Sequence, residues 1–366
     1  MCKIIGGEFA IHPKGFETFD NTSYLQSIDY SSGLQSIDYS SGRCGLYAIL
    51  KDIESLRKKR GGILLPNYLC ASITNTIIDA GWNYKFYDVS DDLQIETESI
   101  ERILCNLDFN VILLINYFGM ASLSEIVSHI RTCYTNIIII VDSVQAFYNQ
   151  RIEGADYNFT SLRKWFPCPD GAIVAKASGY PIKPVPLNEN MWAQYKMAGN
   201  LLKSYSYYID DRISLNLIER GEDLLDKNYL SVCSEASKKI MNFLNLEEIA
   251  EIRKKNAGVL HRELVQMGIR HLYSESEVPL FIPIFIDYRD TVQKYFYRNN
   301  IFTPKHWPYI SENVNGINNL YSRELSLICD QRYDEEDMMR QIAVLKAAKK
   351  QMGEDRNGNF INTKVE

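Results

Sequence analysis

The sequence predicts an α/β protein with a largely parallel sheet and a smaller α+β region at its carboxyl end. Short β-branched runs alternate with amphipathic helices from residue 43 to about residue 240. This alternation is typical of parallel sheets with helices on both faces. Beyond residue 240 the alternation stops, and long helices surround two apolar runs, at 280–286 and 325–329. The chain of 366 residues is long enough to bury cores in both regions.

Each element of the large region is predicted from its own pattern. A helix at 43–59 places Leu46, Ile49 and Leu50 on one face. A second helix ends near residue 80, and residues 188–243 read as mainly helical. The predicted strands are 62–65, 84–89, 111–115, 137–141 and 172–175, with further helices at 95–104 and 123–133 and, in the small region, at 247–266, 291–299 and 335–352.

The chain therefore divides into three predicted parts: residues 1–42, a large domain at 43–240 and a small domain at 241–366. The first part contains the nonapeptide LQSIDYSSG twice in succession, at 25–33 and 34–42. Two copies are too few for a solenoid, so we interpret them as a local duplication that lengthens a surface loop at little entropic cost. Only the second copy adjoins the following helix, and we expect only that copy to affect function.

Composition excludes several classes of function. A net charge of −6 argues against a nucleic-acid partner or an anionic membrane surface. No apolar run approaches the roughly 20 residues of a membrane span, and the N-terminus lacks the apolar segment of a signal peptide. The eight cysteines show neither CxxC nor Cys/His zinc spacing, which predicts reduced thiols. We expect a cytoplasmic protein.

The residues most able to carry chemistry lie between 141 and 171. Asp142 ends an apolar run, Gln145 follows three residues later, and Ser161 and Lys164 precede a turn that contains Pro and Gly. An acid at the carboxyl end of a buried parallel strand lies where open α/β sheets bind ligands. The alternative is that Asp142 only caps the next helix, and the pattern alone does not decide between the two. Lys164 alone indicates little, because most lysines are solvated.

A second candidate is the turn before the first helix of the large domain. The sequence Ser40-Ser41-Gly42 stands directly before that helix. A small turn at a helix N-terminus offers unpaired backbone N–H groups and a favourable dipole, which together suit a phosphate. A serine N-cap without any ligand is the alternative interpretation.

These motifs, in this order and over roughly residues 42–333, resemble the DegT-type family of sugar aminotransferases, which are fold-type I pyridoxal-phosphate enzymes. The motifs are SSGRCGLYAIL, LPNYLCASITNTIIDAG, VDSVQAF, SLRKWFPCPDGA, TPKHWP and LSLICDQRY. The resemblance implies a mostly parallel seven-stranded sheet, pyridoxal 5'-phosphate as cofactor, and a homodimer with shared active sites. It also implies that Lys164 condenses with the cofactor aldehyde, Asp142 pairs with the pyridine nitrogen and Gln145 lies near the phenolic oxygen.

The resemblance assigns the remaining cofactor and substrate contacts as well. Ser161 and the turn Gly42-Arg43-Cys44 would bind the phosphate, and the candidates for stacking on the ring are Tyr68 and Cys70. Substrate candidates are Arg212, His306 and Trp307. The chain departs from the family at Asp210-Asp211-Arg212, where many members have Asn-Tyr-Arg, and the segment 156–164 is about two residues short.

Physical chemistry supports these residue types independently of the resemblance. A carboxylate beside the pyridine nitrogen keeps that nitrogen protonated, so the ring can accept electrons. A lysine must lose its proton to attack an aldehyde, and burial or a neighbouring cation such as Arg163 lowers its pKa. The same amine can then carry a proton between two carbon atoms.

We therefore expect an aminotransferase that moves an amino group from an amino acid, glutamate, to a nucleotide-linked keto-sugar for surface polysaccharide synthesis. One alternative keeps the cofactor but changes the reaction or uses a non-sugar substrate, although Lys164 argues against sugar dehydratases that carry histidine there. Another is a non-catalytic, regulatory relative that holds the cofactor without turnover. A nicotinamide-binding protein is disfavoured because no GxGxxG follows a strand.

Overall fold

The structure is a computed structural model and describes residues 3–11, 35–104, 109–120, 123–149, 152–177, 190–206, 208, 210–225 and 230–357. The elements in these ranges are, in chain order, β1 (Ile5–Gly6), β2 (Gln35–Tyr39), α1 (Gly42–Arg57), β3 (Gly62–Pro66), α2 (Ala71–Asp79), β4 (Asn83–Tyr87), α3 (Thr97–Leu104), β5 (Phe109–Ile115), α4 (Leu123–Cys133), β6 (Ile138–Asp142), β7 (Tyr157–Phe159), β8 (Ala172–Lys176), α5 (Met191–Lys203), α6 (Asp211–Leu225), α7 (Glu235–Phe243), α8 (Leu246–Gln266), β9 (Ile282–Phe285), α9 (Arg289–Arg298), β10 (Ile301–Phe302), α10 (Glu312–Asn315), α11 (Leu320–Arg323), β11 (Glu324–Leu327) and α12 (Glu335–Asn357).

Seven strands form the main sheet, in the order β2-β8-β7-β6-β5-β3-β4. The strands from β7 to β4 pair in parallel, whereas β8 is antiparallel to both of its neighbours, β7 and β2. Strands β5 and β6 are apolar along almost their whole length because they are buried on both faces. The predicted fold class, with a mostly parallel seven-stranded sheet, is confirmed.

Two strands of this sheet escaped prediction from the sequence. Strand β7 has only three residues, too few to show a period, and its middle residue is Asn158. Strand β2 lies inside the second copy of the repeated nonapeptide, which we expected to be irregular. It pairs with β8 at the edge of the sheet and buries Tyr39. The second copy is therefore structural, while the first copy, at 25–33, lies outside the described residues.

The carboxyl-terminal part of the chain builds a second apolar core. Strands β9 and β11 pair in antiparallel fashion, and β1 at the N-terminus joins β10 in parallel. Helices α8, α9 and α12 supply Leu260, Phe296 and Ile342 to a core that also contains Ile284 and Leu325. Within the described ranges, no helix is both long enough and apolar enough to cross a membrane.

Candidate active site

A cavity opens at the carboxyl ends of β5 and β6, the edge at which open α/β sheets bind ligands. Most of its wall comes from the start of α1, the start of α2, the segment that begins at the end of β6, and the loop between β10 and α10, and Ile115 and Leu280 complete it. The predicted site residues that reach its wall are Gly42, Arg43, Cys70, Asp142, Gln145, Ser161, Lys164, His306 and Trp307.

Asp142 is the last residue of β6, and its carboxyl group is buried beside the cavity. Its Oδ1 accepts a hydrogen bond from the backbone N–H of Val144 at 2.8 Å, so it does cap the following turn. Burial raises the pKa of Asp142 to about 7, against the lowering effects of that hydrogen bond and of the Lys164 charge. A buried carboxyl group with a raised pKa favours a partner that carries positive charge or a shared proton. The group can cap the turn and meet a ligand as well.

Lys164 ends a short 3₁₀-helix, Leu162–Lys164, and its side chain projects into the cavity. The side chain is exposed to the space inside the cavity. Protein surrounds that space, so the amine is poorly solvated by water. Burial is the largest cause that lowers the pKa of Lys164, followed by the charge of Arg163. Both influences favour the uncharged amine, which is the form that attacks a carbonyl carbon.

The turn around Lys164 is tied to the turn before α1 through backbone hydrogen bonds. Leu162 N–H donates to the Gly171 carbonyl at 2.8 Å, and Gly171 N–H donates to the Ser40 carbonyl at 2.6 Å. Gly171 has φ +113°, and a Cβ there would meet the Leu162 side chain at 2.8 Å, so glycine is required. Ser161 is buried beside this link and lines the cavity. The lysine and the predicted phosphate seat are thereby held as one unit.

A buried ion network that sequence analysis missed lies beside the lysine. Glu222 on α6 accepts from Arg163 at 2.8 Å and from Lys196, whose side chain is fully buried. Burial opposes ionisation of Glu222, but the charges of Arg163 and Lys196 outweigh it and lower the pKa of Glu222 to about 2. Glu222 therefore holds the Arg163 guanidinium in place. No local sequence pattern predicted the pairing of Glu222 with Arg163, since the two residues lie 59 positions apart.

Gln145 provides a test of whether the cavity fits the implied cofactor. Its Oε1 accepts from the backbone N–H of Phe118 at 3.1 Å, which fixes the orientation of the amide. Its Nε2 is buried and has no hydrogen-bond partner within the described structure. A buried donor without a partner costs free energy unless a ligand supplies an acceptor. An anionic oxygen such as the phenolate of pyridoxal phosphate would satisfy it, so the residues present fit the cofactor.

Two predicted cofactor contacts lie away from the cavity wall. Cys44 is buried on the inner side of α1, where its backbone N–H donates to the Ser41 side chain at 3.2 Å. Ser41 is therefore an N-cap, as in the alternative interpretation of this turn, and Gly42 and Arg43 form the wall. Tyr68 is wholly buried and packs against Trp307, with ring centroids 5.2 Å apart. The wall at this point is formed by Cys70 and Trp307, because Tyr68 points into the core.

Arg212 also lies outside the cavity of its own chain. Its side chain is 85% exposed at the start of α6 and forms a two-point ion pair with Asp210.

No protein-family model matches the chain, and the comparison with curated proteins likewise gives no match. Solved structures are similar over most of its length. A protein from Streptococcus pneumoniae described as "Putative sugar aminotransferase Spr1654", in its PMP form, has a TM-score of 0.66 at 13% identity, over 96% of this chain and 94% of that one. DesI in the presence of its TDP-sugar product gives 0.64 at 13%, over 91% and 86%. A DegT DnrJ EryC1 StrS aminotransferase from Brucella abortus gives 0.62 at 15%, over 88% of each chain.

The chain has the fold of these sugar aminotransferases. At identities of 13–15%, the likeness concerns the arrangement of strands and helices. The chemistry of this site depends on the side chains around Lys164.

Proposed function

We propose that this chain is a pyridoxal-phosphate-dependent aminotransferase. The observation that carries the proposal is that Asp142, Gln145 and Lys164 line one cavity, and the pKa of the lysine is lowered there. The bound cofactor would supply an electron sink for the charge left when a proton leaves the substrate carbon.

The side chains have separate roles in this proposal. Lys164 would hold the cofactor through its aldehyde and, as a free amine, would carry a proton between the reacting carbon atoms. Asp142 would keep a proton on the pyridine nitrogen, and Gln145 Nε2 would donate to the phenolic oxygen. Ser161 and the turn at Gly42 and Arg43 would hold the phosphate, where α1 directs its positive dipole end.

For substrates, we propose glutamate as amino donor and a nucleotide-linked keto-sugar as acceptor, in surface polysaccharide synthesis. The fold of DesI, a protein described with a TDP-sugar product, supports a sugar acceptor. A second depression adjoins the cavity and shares Arg43, Ser72 and Trp307 with it, and its wall continues to Asn75. It offers a cation, polar groups and an aromatic face to such a substrate.

We also propose a division of the chain into a large domain at 43–240 and a small one at 241–366.

We further propose a homodimer with shared active sites. Ile78 and Ile310 line the outer depression and are 49% and 61% exposed. Apolar side chains left open at the mouth of a site favour coverage by another chain. Sedimentation analysis of the protein tests this, and a monomer at micromolar concentration would contradict it.

The deciding experiment is an absorption spectrum of the purified protein with pyridoxal phosphate, before and after excess glutamate. We expect a visible band for the lysine-bound cofactor that glutamate converts to the amine form. A band that ignores glutamate would overturn the donor or the reaction class. Absence of any band after reconstitution would overturn the roles of Asp142 and Lys164.

A further inference from the structure

A separate cavity of about 290 Å³, the side cavity, adjoins the active-site cavity. The two cavities share only Arg163, Lys164 and Leu280. The rest of the side-cavity wall comes from residues 7–9, from helices α8 and α9, from β10, and from the segments that precede β9 and follow β10 and β11. Its volume is close to about 300 Å³, the lower end of the range for small-molecule sites in proteins. The side cavity therefore has room for a small molecule beside the active site.

Most of the charged side chains in this wall have partners of opposite charge. Arg332 forms a two-point ion pair with Asp330, with nitrogen–oxygen distances of 2.9 and 2.7 Å. Arg163 is paired with a glutamate on α6, as described above. Glu8 Oε1 lies 3.6 Å from the buried amine of Lys196. Besides the lysine shared with the active site, whose surroundings favour the uncharged amine, one arginine on α8 remains.

This residue, Arg253, is fully buried, and its guanidinium bonds to backbone carbonyl groups in place of a carboxylate. Its Nη1 donates to the carbonyl oxygens of Pro279 and Leu280 at 3.2 and 3.1 Å, and its Nη2 donates to that of Trp165 at 3.2 Å. The guanidinium carbon lies over the Trp165 ring, 4.8 Å from its centroid. Because arginine keeps its proton in proteins, Arg253 carries a buried positive charge that contacts no carboxylate among the described residues.

Two polar groups of the side-cavity wall are buried and make no hydrogen bond within the described part of the chain. They are Arg253 Nε and the hydroxyl of Thr303, directly after β10, and both residues are at most 1% exposed. A guanidinium N–H can only donate, whereas a hydroxyl can donate or accept. Leaving such groups unpaired costs free energy, which a ligand with acceptor oxygens would recover.

We propose that the side cavity is a binding site for a small organic acid, whose carboxylate accepts hydrogen bonds from Arg253 Nε and Thr303 Oγ1. A carboxylate supplies both the acceptors that these two groups lack and the negative charge that Arg253 lacks. The wall also offers four aromatic rings to a carbon skeleton, those of Phe9, Phe281, Tyr297 and Phe302. Neither hydrogen-bond donor lines the active-site cavity, so this site is separate from that of the amino donor.

Binding is tested with butyrate, a short carboxylate without an amino group, on the full chain labelled with nitrogen-15 at arginine. Arg253→Lys, which keeps the positive charge, assigns the Nε resonance of Arg253. We expect butyrate to shift this resonance to a saturable limit, because the N–H gains an acceptor. Absence of a shift would overturn the proposal. Equal affinity for inorganic phosphate would overturn the assignment to an organic acid, since phosphate gains nothing from the aromatic wall.

Thr303→Val is the most informative variant. It removes a hydroxyl that makes no hydrogen bond within the described structure, so the unfolding midpoint should not fall. The affinity for butyrate should fall by about ten- to a hundredfold, because a hydrogen bond to a charged group is lost. Thr303→Ser should retain the affinity, and the matched control is Thr132→Val, at an exposed residue of α4 whose hydroxyl donates to the Ser128 carbonyl. Wild-type affinity in Thr303→Val would contradict the proposed site.

Two further measurements separate the side cavity from the active site. Arg43 lines the active-site cavity and not the side cavity, so Arg43→Gln should bind butyrate as wild type does. In the cofactor-loaded protein, butyrate should not compete with glutamate in the first half-reaction. Loss of butyrate binding in Arg43→Gln, or competition with glutamate, would place the acid in the active site and overturn the proposal. The nitrogen-15 titration needs no cofactor, so its outcome is independent of the proposed function.

Discussion

The wall of the cavity is built in two different ways. From β6 to Lys164, one short segment supplies Asp142, Gln145 and Lys164, and the backbone alone brings them together. At His306 the wall depends on side chains that reach across the fold, to Glu324 and Ser326, which lie 18 and 20 residues away. Glu222 belongs to this second kind, since it holds Arg163 from another helix.

This difference determines what each substitution does. Where the backbone positions a group, the side chain itself carries the chemistry, and its removal leaves nothing in its place. Where a side-chain network positions a group, loss of one member shifts the others, and the effect is partial. Networks also respond to pH through every member, because their charges are coupled.

The largest effect is expected from Lys164→Ala. Without the amine no covalent link to the cofactor aldehyde can form, so the visible band and all transamination should be lost while the fold persists. Absorption spectroscopy measures the visible band, and the unfolding transition shows whether the fold persists. Lys238→Ala, at a lysine paired with Glu235 on the exposed side of α7, is the matched control and should keep the band. An unchanged band in Lys164→Ala would refute the assignment.

Asp142→Asn should lower turnover by roughly a hundredfold or more, since the pyridine nitrogen would no longer be held protonated. Some cofactor should still bind through Lys164. Full activity would show that another residue has this role.

The same variant has a second, opposite effect on the cofactor-free protein. Because burial raises the pKa of Asp142 from 3.8 to about 7, the unfolded chain releases its proton first as the pH rises between these values. Stability contributed by this group is complete below pH 3.8 and is lost as the pH approaches 7. Asp142→Asn should therefore be more stable than wild type at pH 8, by about 2–4 kcal/mol, and closer to it at pH 5. Denaturant unfolding at the two pH values checks this.

Glu222→Gln should have a smaller effect. The folded-state pKa of Glu222, about 2, lies below its ordinary value of 4.5, so its contribution is present above pH 4.5 and is lost as the pH falls toward 2. The side chain is 33% exposed, which weakens the interaction, and we expect a loss of about 1–2 kcal/mol at pH 7. Glu235→Gln, at an exposed pair with Lys238, should change stability little. Equal losses in both variants would contradict a special role for Glu222.

The smallest effect is expected from deletion of residues 25–33. The second copy of the nonapeptide supplies strand β2 and leads into α1, so cofactor absorption and the unfolding midpoint should stay close to wild type. Shortening the surface loop that the sequence predicts would change its closure entropy only slightly. Loss of the cofactor band in this variant would show that the first copy contributes to the site.

The two kinds of wall also explain what the sequence could predict. The apolar run that ends at Asp142 predicted both a strand and the end of that strand that faces a ligand. A strand buried on both faces has a continuous run of apolar residues. Strand β7 was missed because three residues show no period. Tyr68 and Cys70 could not be ranked, since which of them faces the cavity depends on the packing of Tyr68 against Tyr321 and Trp307.

The repeat that contains strand β2 affects how the length of the chain can change. Removing either nonapeptide from the 366-residue chain yields the same product of 357 residues (366 − 9), since the two copies are identical. In that product a single LQSIDYSSG still stands directly before Arg43. A chain that gains or loses one such unit therefore keeps the sequence of the edge strand and of its junction with α1. The chain can therefore differ in length at this point without any change in the sequence of its active-site segments.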